Sequence, residues 1–321
     1  DDNESVHYVM RAIAARGGRA FRFDTDRFPT EVQLVAHYAP EGERLTLTSD
    51  ENALDLRAVT AVWHRRLAVG ARLPATMERQ MRAAAVGEAR ATVAGLLASL
   101  DAFRLDAEPN IRRAENKQLQ LQVARACGLA TPRTLITNDP AALRAFAADC
   151  PGGIVTKMLS SFAIHDERGA EQVVFTNPVA PEDLADLEGL RLCPMTFQER
   201  VPKTLELRAT VVGERVLTAA IASQASARAR HDWRRDGARL IDAWQPYDLP
   251  PDVTQRLLRL MDYFGLNYGA ADFILTPDDQ HVFLEVNPVG EFFWLEQSPG
   301  LSIAPAIADL LLGHAKRRAN A

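Results

Sequence analysis

Two short strands late in the chain, each apolar apart from one acid and its end residues, restrict the fold more than any other stretch. They are Gly269-Ala270-Ala271-Asp272-Phe273-Ile274-Leu275 and His281-Val282-Phe283-Leu284-Glu285-Val286-Asn287, separated by Pro277-Asp278-Asp279-Gln280. Proline and aspartates between such runs mark a hairpin. A symmetric turn centred between Asp278 and Asp279 pairs Asp272 with Glu285. Opposed side chains share one face, roughly 5 Å apart. Asn287, two residues on, points to the same face. The neighbours Phe273, Ile274, Phe283, Leu284 and Val286 make this a mostly buried hairpin. Two facing acids there repel unless something positive lies between them. A hard cation meets that need, and magnesium commonly binds a few carboxylates together with substrate phosphates. The plainer reading, a solvated outer face, conflicts with the apolar neighbours.

The rest of the chain frames this hairpin. Its 321 residues suit two or three packed subdomains. With 47% hydrophobic and 25% charged residues, it reads as soluble and globular. No apolar run reaches the roughly 18 residues of a membrane span. A net charge of −5 argues against general binding of nucleic-acid phosphates. Cys127, Cys150 and Cys193 are scattered and odd in number, which fits a reducing cytoplasm and no disulfide framework. The seven histidines show no HExxH, so a His or Cys metal site is not expected.

Periodicity places a helix at 5–16 stopped by Gly17-Gly18, and a strand at Ala20-Phe21-Arg22-Phe23. A hairpin follows at 33–38 and 44–47, then a strand at 59–63 and a helix at 76–101. Glu108-Pro109-Asn110 reads as a break. An α/β domain usually opens on a strand, so a short first strand is expected ahead of residue 1. Beyond the break come helices at 114–127 and 139–149, strands at 152–157 and 172–176, and a short helix at 181–189. A strand at 195–201 ends at Pro202, and a hairpin spans 204–212 and 215–223. Helices at 252–264 and 303–316 flank the acidic hairpin. The expected fold class is α/β in three parts: 1–112, 113–197 and 198–321.

Several basic residues fit an anionic ligand. Lys157 ends an apolar strand, where a lysine is costly without an anion. Lys117 stands early in its helix. Alone, each reads more simply as a solvated lysine. Thr204-Leu205-Glu206-Leu207-Arg208 puts Glu206 and Arg208 on one strand face. A carboxylate can hold ribose hydroxyls and an arginine can fork onto phosphate; a plain ion pair fits equally well. Gln198-Glu199-Arg200-Val201-Pro202 leaves its strand abruptly, freeing backbone for an adenine edge.

In this order, Lys117, Lys157, Gln198-Glu199-Arg200-Val201, Glu206-x-Arg208, Asp272 and Glu285-x-Asn287 resemble the ATP-grasp enzymes over residues 110 to 300. The resemblance implies an ATP-grasp fold, an N-terminal pre-grasp domain and two subdomains clamping ATP. It also implies that Lys117 and Lys157 contact ATP, with Glu199 and Val201 at adenine and Glu206 at ribose. Asp272, Glu285 and Asn287 would hold two magnesium ions, and Arg208, with Lys157, would serve the transferred phosphoryl group.

A narrower resemblance rests on Phe21-Arg22-Phe23-Asp24-Thr25-Asp26, Val62-Trp63-His64-Arg65-Arg66, Asn110, Glu115-Asn116-Lys117 and His231-Asp232-Trp233-Arg234. These are similar to the microviridin-type peptide maturases, or graspetide synthetases. That implies a ribosomal precursor peptide as partner, with a leader and an acidic core, and a homodimer. Such enzymes crosslink Asp or Glu side chains to Ser, Thr or Lys. His64 departs from the aromatic residue often found before the paired arginines. Arg65, Arg66, Asp232, Trp233 and Arg234, within a basic surface, would attract the peptide; solvated strand-end and loop charges are the plainer reading. The competing functions are a ligase that appends free amino acids and a nucleotide-binding regulatory module without catalysis. A plain α/β interaction domain would leave Asp272 and Glu285 unexplained.

Overall fold

The structure, a computed structural model, describes residues 3–50, 52–159, 163–165, 171–173, 176–225, 233 and 237–318. It divides into two compact units, residues 1–108 with 304–320, and residues 109–303.

The first unit opens with α1 (Asn3–Ala14), ended by Gly17 in the left-handed region at φ +74°. The expected strand at 20–23 does not form. Arg22 bends back to Asp24 at 2.7 Å, while Phe21 and Phe23 pack against the unit's core. These aromatics are anchored by packing rather than by a ladder. β1 (Val32–Ala39), β2 (Gly42–Ser49) and β3 (Asn52–Asp55) form an antiparallel meander. β4 (Ala61–Trp63) runs parallel to β5 (Phe103–Leu105), a strand too short to show in the sequence pattern. Between them lies α2 (Arg79–Ser99), capped by the Glu78 carboxylate. Its Ala89, Val93 and Leu96 join Phe28, Val32, Leu45 and Leu47 in the core.

The second unit begins with α3 (Glu108–Glu115) and α4 (Lys117–Ala126). The break expected at Glu108-Pro109-Asn110 is instead a helix start. Proline in a first helical turn sacrifices no hydrogen bond. The single helix expected over 114–127 is divided at Asn116, whose side chain accepts from Leu119 N at 3.0 Å. β6 (Thr134–Thr137), α5 (Pro140–Ala148) and β7 (Ile154–Lys157) follow, with Asp139 capping α5. β8 (Ala163–His165) pairs with β9 (Glu171–Val173). After β10 (Asn177–Pro178), the expected helix at 181–189 is two 3-10 turns, Pro181–Leu184 and Glu188–Leu192, each too short for an α-helix. β11 (Met195–Glu199) completes a sheet of order β10-β7-β11-β6.

β12 (Leu205–Val212) and β13 (Arg215–Ile221) form the expected hairpin. α6 (Gly237–Leu240) and β14 (Gln245–Pro246) lead to α7 (Pro251–Phe264), closed by Gly265 at φ +63°. β15 (Tyr268–Leu275) and β16 (His281–Asn287) complete a five-stranded antiparallel sheet of order β14-β13-β12-β15-β16. One face of it packs on α4 and α7 through Leu207, Ala209, Phe273, Phe283 and Leu257. α8 (Phe293–Gln297) precedes α9 (Ile303–Leu311), which from Ala304 onward belongs to the first unit, where Asp309 pairs with Arg16. Among the described residues no helix is long and apolar enough to cross a membrane.

Candidate active site

The face of the five-stranded sheet opposite α4 and α7 carries the charge. Arg208 of β12 stands opposite Asp272 of β15, and its Nη1 donates to Asp272 Oδ1 at 2.7 Å. Asp272 in turn stands opposite Glu285 of β16. Glu206 is two residues before Arg208 on the same face, and Asn287 two beyond Glu285.

The expected pairing of Asp272 with Glu285 is present, but by a different route. The turn is centred on Asp278, not between the two aspartates. Thr276 N donates to Gln280 O at 3.0 Å, and Asp279 takes a left-handed φ of +60°. That register, Phe273 to Phe283, would bring Leu284 opposite Asp272 and send Glu285 to the helix side. A bulge between Asp272 and Phe273 absorbs Leu284. Bulges re-aim side chains in this manner. Phe283 and Val286 therefore both reach the core, while Glu285 and Asn287 face the acids' side.

The two acids do not face each other unneutralised. Glu285 Oε2 pairs with Lys117 Nζ at 2.8 Å, just as Asp272 pairs with Arg208. Side chains thus supply positive charge beside both acids, where the sequence alone suggests a cation. Among the described residues no group of three or more His, Cys, Asp or Glu is assembled as a metal cage. The donor set on this face is instead two carboxylates and the Asn287 amide oxygen, which also accepts from Val289 N at 3.0 Å. An all-oxygen set of this kind fits magnesium, which takes few protein ligands and keeps sites for phosphate and water.

Local structure positions Lys117. The Asn116 cap starts α4 so that Lys117 is its first residue. Three residues on, on the same helix face, Gln120 is buried at 1% exposure. Its Nε2 donates to Val286 O at 2.8 Å, and its Oε1 accepts from Val286 N at 2.9 Å. The amide acts as a miniature strand on the sheet's edge, fixing the residue between Glu285 and Asn287. In the sequence Gln120 shows only as a polar residue on the apolar face of α4.

Glu206 sits in a second charged group. Its Oε1 accepts from Lys203 Nζ at 2.6 Å and from Ser223 Oγ at 2.5 Å. The pair is nearly buried, with side-chain exposures of 7% for Lys203 and 13% for Glu206. Lys203 is likewise silent in the sequence, because a loop lysine after a proline carries no periodic signal. On the other sheet, Lys157 ends β7 opposite Thr196. Glu199 ends β11, and its carboxylate accepts from Arg133 N at 2.8 Å while its own N–H donates to Arg133 O at 3.0 Å. Val201 follows as the strand stops before Pro202.

Trp233 reaches the charged face through aromatic contacts. Its ring lies 5.1 Å from Trp244 and 5.3 Å from Trp294, and the Arg208 guanidinium lies 5.6 Å from the Trp294 ring. Asp232 and Arg234 lie outside the described residues. Arg65 and Arg66 belong to the first unit, where Arg65 stacks over Trp63 at 5.0 Å and Arg66 O accepts from Thr25 Oγ1. The structure therefore brings together Lys117, Glu206, Arg208, Asp272, Glu285 and Asn287 on or against one sheet face, and puts Lys157, Glu199 and Val201 on or after another sheet.

Residues 1–112 match the MvdD pre-ATP grasp domain family. The whole chain is similar to the macrocyclase MdnC of Microcystis aeruginosa, solved with its precursor peptide MdnA. Identity is 50%, over 96% of this chain and 95% of that one, with a TM-score of 0.86. A RiPP-associated ATP-grasp ligase of Chryseobacterium gregarium, solved with ADP and a leader and core peptide, is 38% identical over 99% and 96% of the two chains, with a TM-score of 0.94. The macrocyclase MdnB of Microcystis aeruginosa is 38% identical over 96% and 95%, at 0.79. No curated protein matches.

Proposed function

The chain belongs to the ATP-grasp ligases of ribosomal peptide maturation, the graspetide synthetases, and on that premise we propose that it crosslinks a ribosomal precursor peptide. Its substrates are ATP and Asp or Glu side chains of the peptide. A carboxylate oxygen attacks the γ-phosphorus, and the bond to the β-phosphate oxygen breaks, giving an acyl phosphate and ADP. A Ser or Thr hydroxyl, or a Lys amine, then attacks the acyl carbon, loses its proton, and expels phosphate. The peptide loses one water per ester or amide formed.

The observation that carries this reading is the line Lys117–Glu285, Asp272–Arg208 across one sheet face. Two cations and two anions stand side by side, a charge arrangement that suits phosphates and their metal. Phosphoryl transfer asks a protein mainly for positioning and charge neutralisation. Lys117 and Lys157 are assigned to the ATP phosphates and the purine side, Glu199 and Val201 to adenine, Glu206 to ribose. Arg208 is assigned to the transferred phosphoryl group, with Lys157. Asp272, Glu285 and Asn287 would hold two magnesium ions, which neutralise charge on the transferring group. Arg65, Arg66, Asp232, Trp233 and Arg234 are assigned to the peptide.

Intact mass spectrometry of candidate precursor peptides, incubated with enzyme, ATP and magnesium, tests the proposal. The expected result is ATP-dependent loss of one water mass per bond. A product made heavier by a free amino acid would overturn it in favour of an amino-acid ligase. Absence of ADP release with every peptide and amino acid would favour a non-catalytic module.

A further inference from the structure

Three buried side-chain donors on or beside the charged sheet face have no hydrogen-bond partner among the described residues. Arg208 is 8% exposed, and while Nη1 serves Asp272, its Nε has no partner. Trp294, 6% exposed, lies under the guanidinium, and its indole Nε1 has none either. Thr210, fully buried two residues along β12 on the same face as Arg208, has an unpartnered hydroxyl. Native proteins pair nearly all buried donors, because each orphan has given up its hydrogen bonds to water and gained none in return. Buried donors left unpaired at and beside one guanidinium suit an acceptor that arrives with the ligand.

We propose that the Trp294 indole N–H and Arg208 Nε–H together bind an oxyanion of the reacting group, first on the acyl phosphate and then on the tetrahedral adduct. The inference rests on the ligase reading above and adds Trp294 to its machinery. A neutral N–H suits this place: it stabilises developing negative charge without competing with Arg208 for Asp272. Preorganised donors aimed at a developing oxyanion are the main electrostatic device in acyl transfer. Trp294 also stands edge-on to Phe293, at 5.6 Å and 85°. An N–H contact with a ring face is a second-order interaction and leaves Arg208 Nε unaccounted for. The Trp244 indole N–H is also unpartnered, but among the described residues no arginine stacks over its ring.

The chain has four tryptophans, so its indole N–H signals form a small, assignable NMR set. Trp294→Phe identifies the signal and keeps an aromatic ring under Arg208. The full chain is titrated with MgADP and then with inorganic phosphate or orthovanadate. The oxyanion should shift the Trp294 proton downfield, and Arg208→Met should remove the response. MgADP binding without any response of Trp294 to either oxyanion overturns the inference and leaves the nucleotide site standing. Failure of MgADP to bind removes the reading and the inference together. In turnover, folded Trp294→Phe should lose about 100-fold in kcat, the usual effect of deleting one oxyanion donor, with KM for ATP unchanged. Wild-type kcat in that variant refutes the assignment.

Discussion

Replacing Gln120 by methionine tests what holds the acidic strand in place. The side chains are close in volume, so packing changes little. What is lost is polar: the donations to Val286 O and Ala114 O, and the acceptance from Val286 N. Val286 is fully buried on the sheet's outer strand, so water does not readily replace the amide. Each buried group left unpaired costs about 1–3 kcal/mol. Carbonyls keep a second lone pair, which favours the low end for two of the three, so about 3–5 kcal/mol is expected in total. In a unit of this size each kcal/mol corresponds to about 2–4 °C in melting temperature. Urea denaturation followed by tryptophan fluorescence measures the loss. Gln120→Glu provides the internal comparison, because an ionised carboxylate still accepts from Val286 N but donates to neither carbonyl. Its charge is buried and faces both carbonyls, so at neutral pH Gln120→Glu should be less stable than Gln120→Met. A loss below about 1 kcal/mol in the methionine variant, within the range of one ordinary hydrogen bond, would refute the claim that this amide anchors the strand.

Three further perturbations have defined outcomes. A Cβ at Gly290 would lie 2.6 Å from the buried Ala270 Cβ, so Gly290→Ala should lose about 1–3 kcal/mol by overpacking, read as a lower melting temperature. Lys203→Met leaves the nearly buried Glu206 carboxylate without its cation and should cost about 3 kcal/mol; adding Glu206→Gln should restore part of it in a double-mutant cycle. Burial holds the His281 imidazole below its usual value of 6.5, against weaker opposing effects of Asp252 and Asp279. The folded state therefore favours neutral His281, whose contribution is full above 6.5 and is lost as pH falls through the folded value. Urea midpoints compared at about pH 7 and about pH 5 should drop less in His281→Gln than in wild type.

The strand faces were legible because alternation of apolar and charged residues fixes them. Leu205 and Leu207 go to the core side and Glu206 and Arg208 to the other without any tertiary knowledge. The details that complete the site were less visible, each for a physical reason. The bulge at Leu284 follows from the turn's centre on Asp278, which local propensity does not determine. Pro109 suits a chain break and a helix start equally in the sequence, and the choice depends on what packs behind Ile111 and Ala114. Asn116 as a cap splits two helices that periodicity alone merges. Gln120 and Lys203 act through contacts 166 and 3 residues away, one long-range and one across an irregular loop, and local pattern names the partner of neither.

The pairing of Lys117 with Glu285 sets up a competition that can be measured directly. On the proposed assignment, Glu285 serves magnesium and Lys117 serves phosphate. In the structure they serve each other at 2.8 Å. Magnesium alone must then displace an ammonium from its ligand, whereas phosphates that engage Lys117 release the carboxylate first. Nucleotide and metal should favour each other, and the coupling is reciprocal. Deleting the lysine makes the two predictions diverge. In Lys117→Met, ADP should bind more weakly, but magnesium alone should bind more tightly than to wild type, by about fivefold or more given typical coupling strengths. Calorimetric titration of the nucleotide-free enzyme with magnesium chloride reads this without turnover. The Glu285→Gln variant should abolish the gain, since the released ligand is then neutral. Equal metal affinity in wild type and Lys117→Met would mean that Lys117 does not guard the metal ligand and that the ion pair plays a purely structural part.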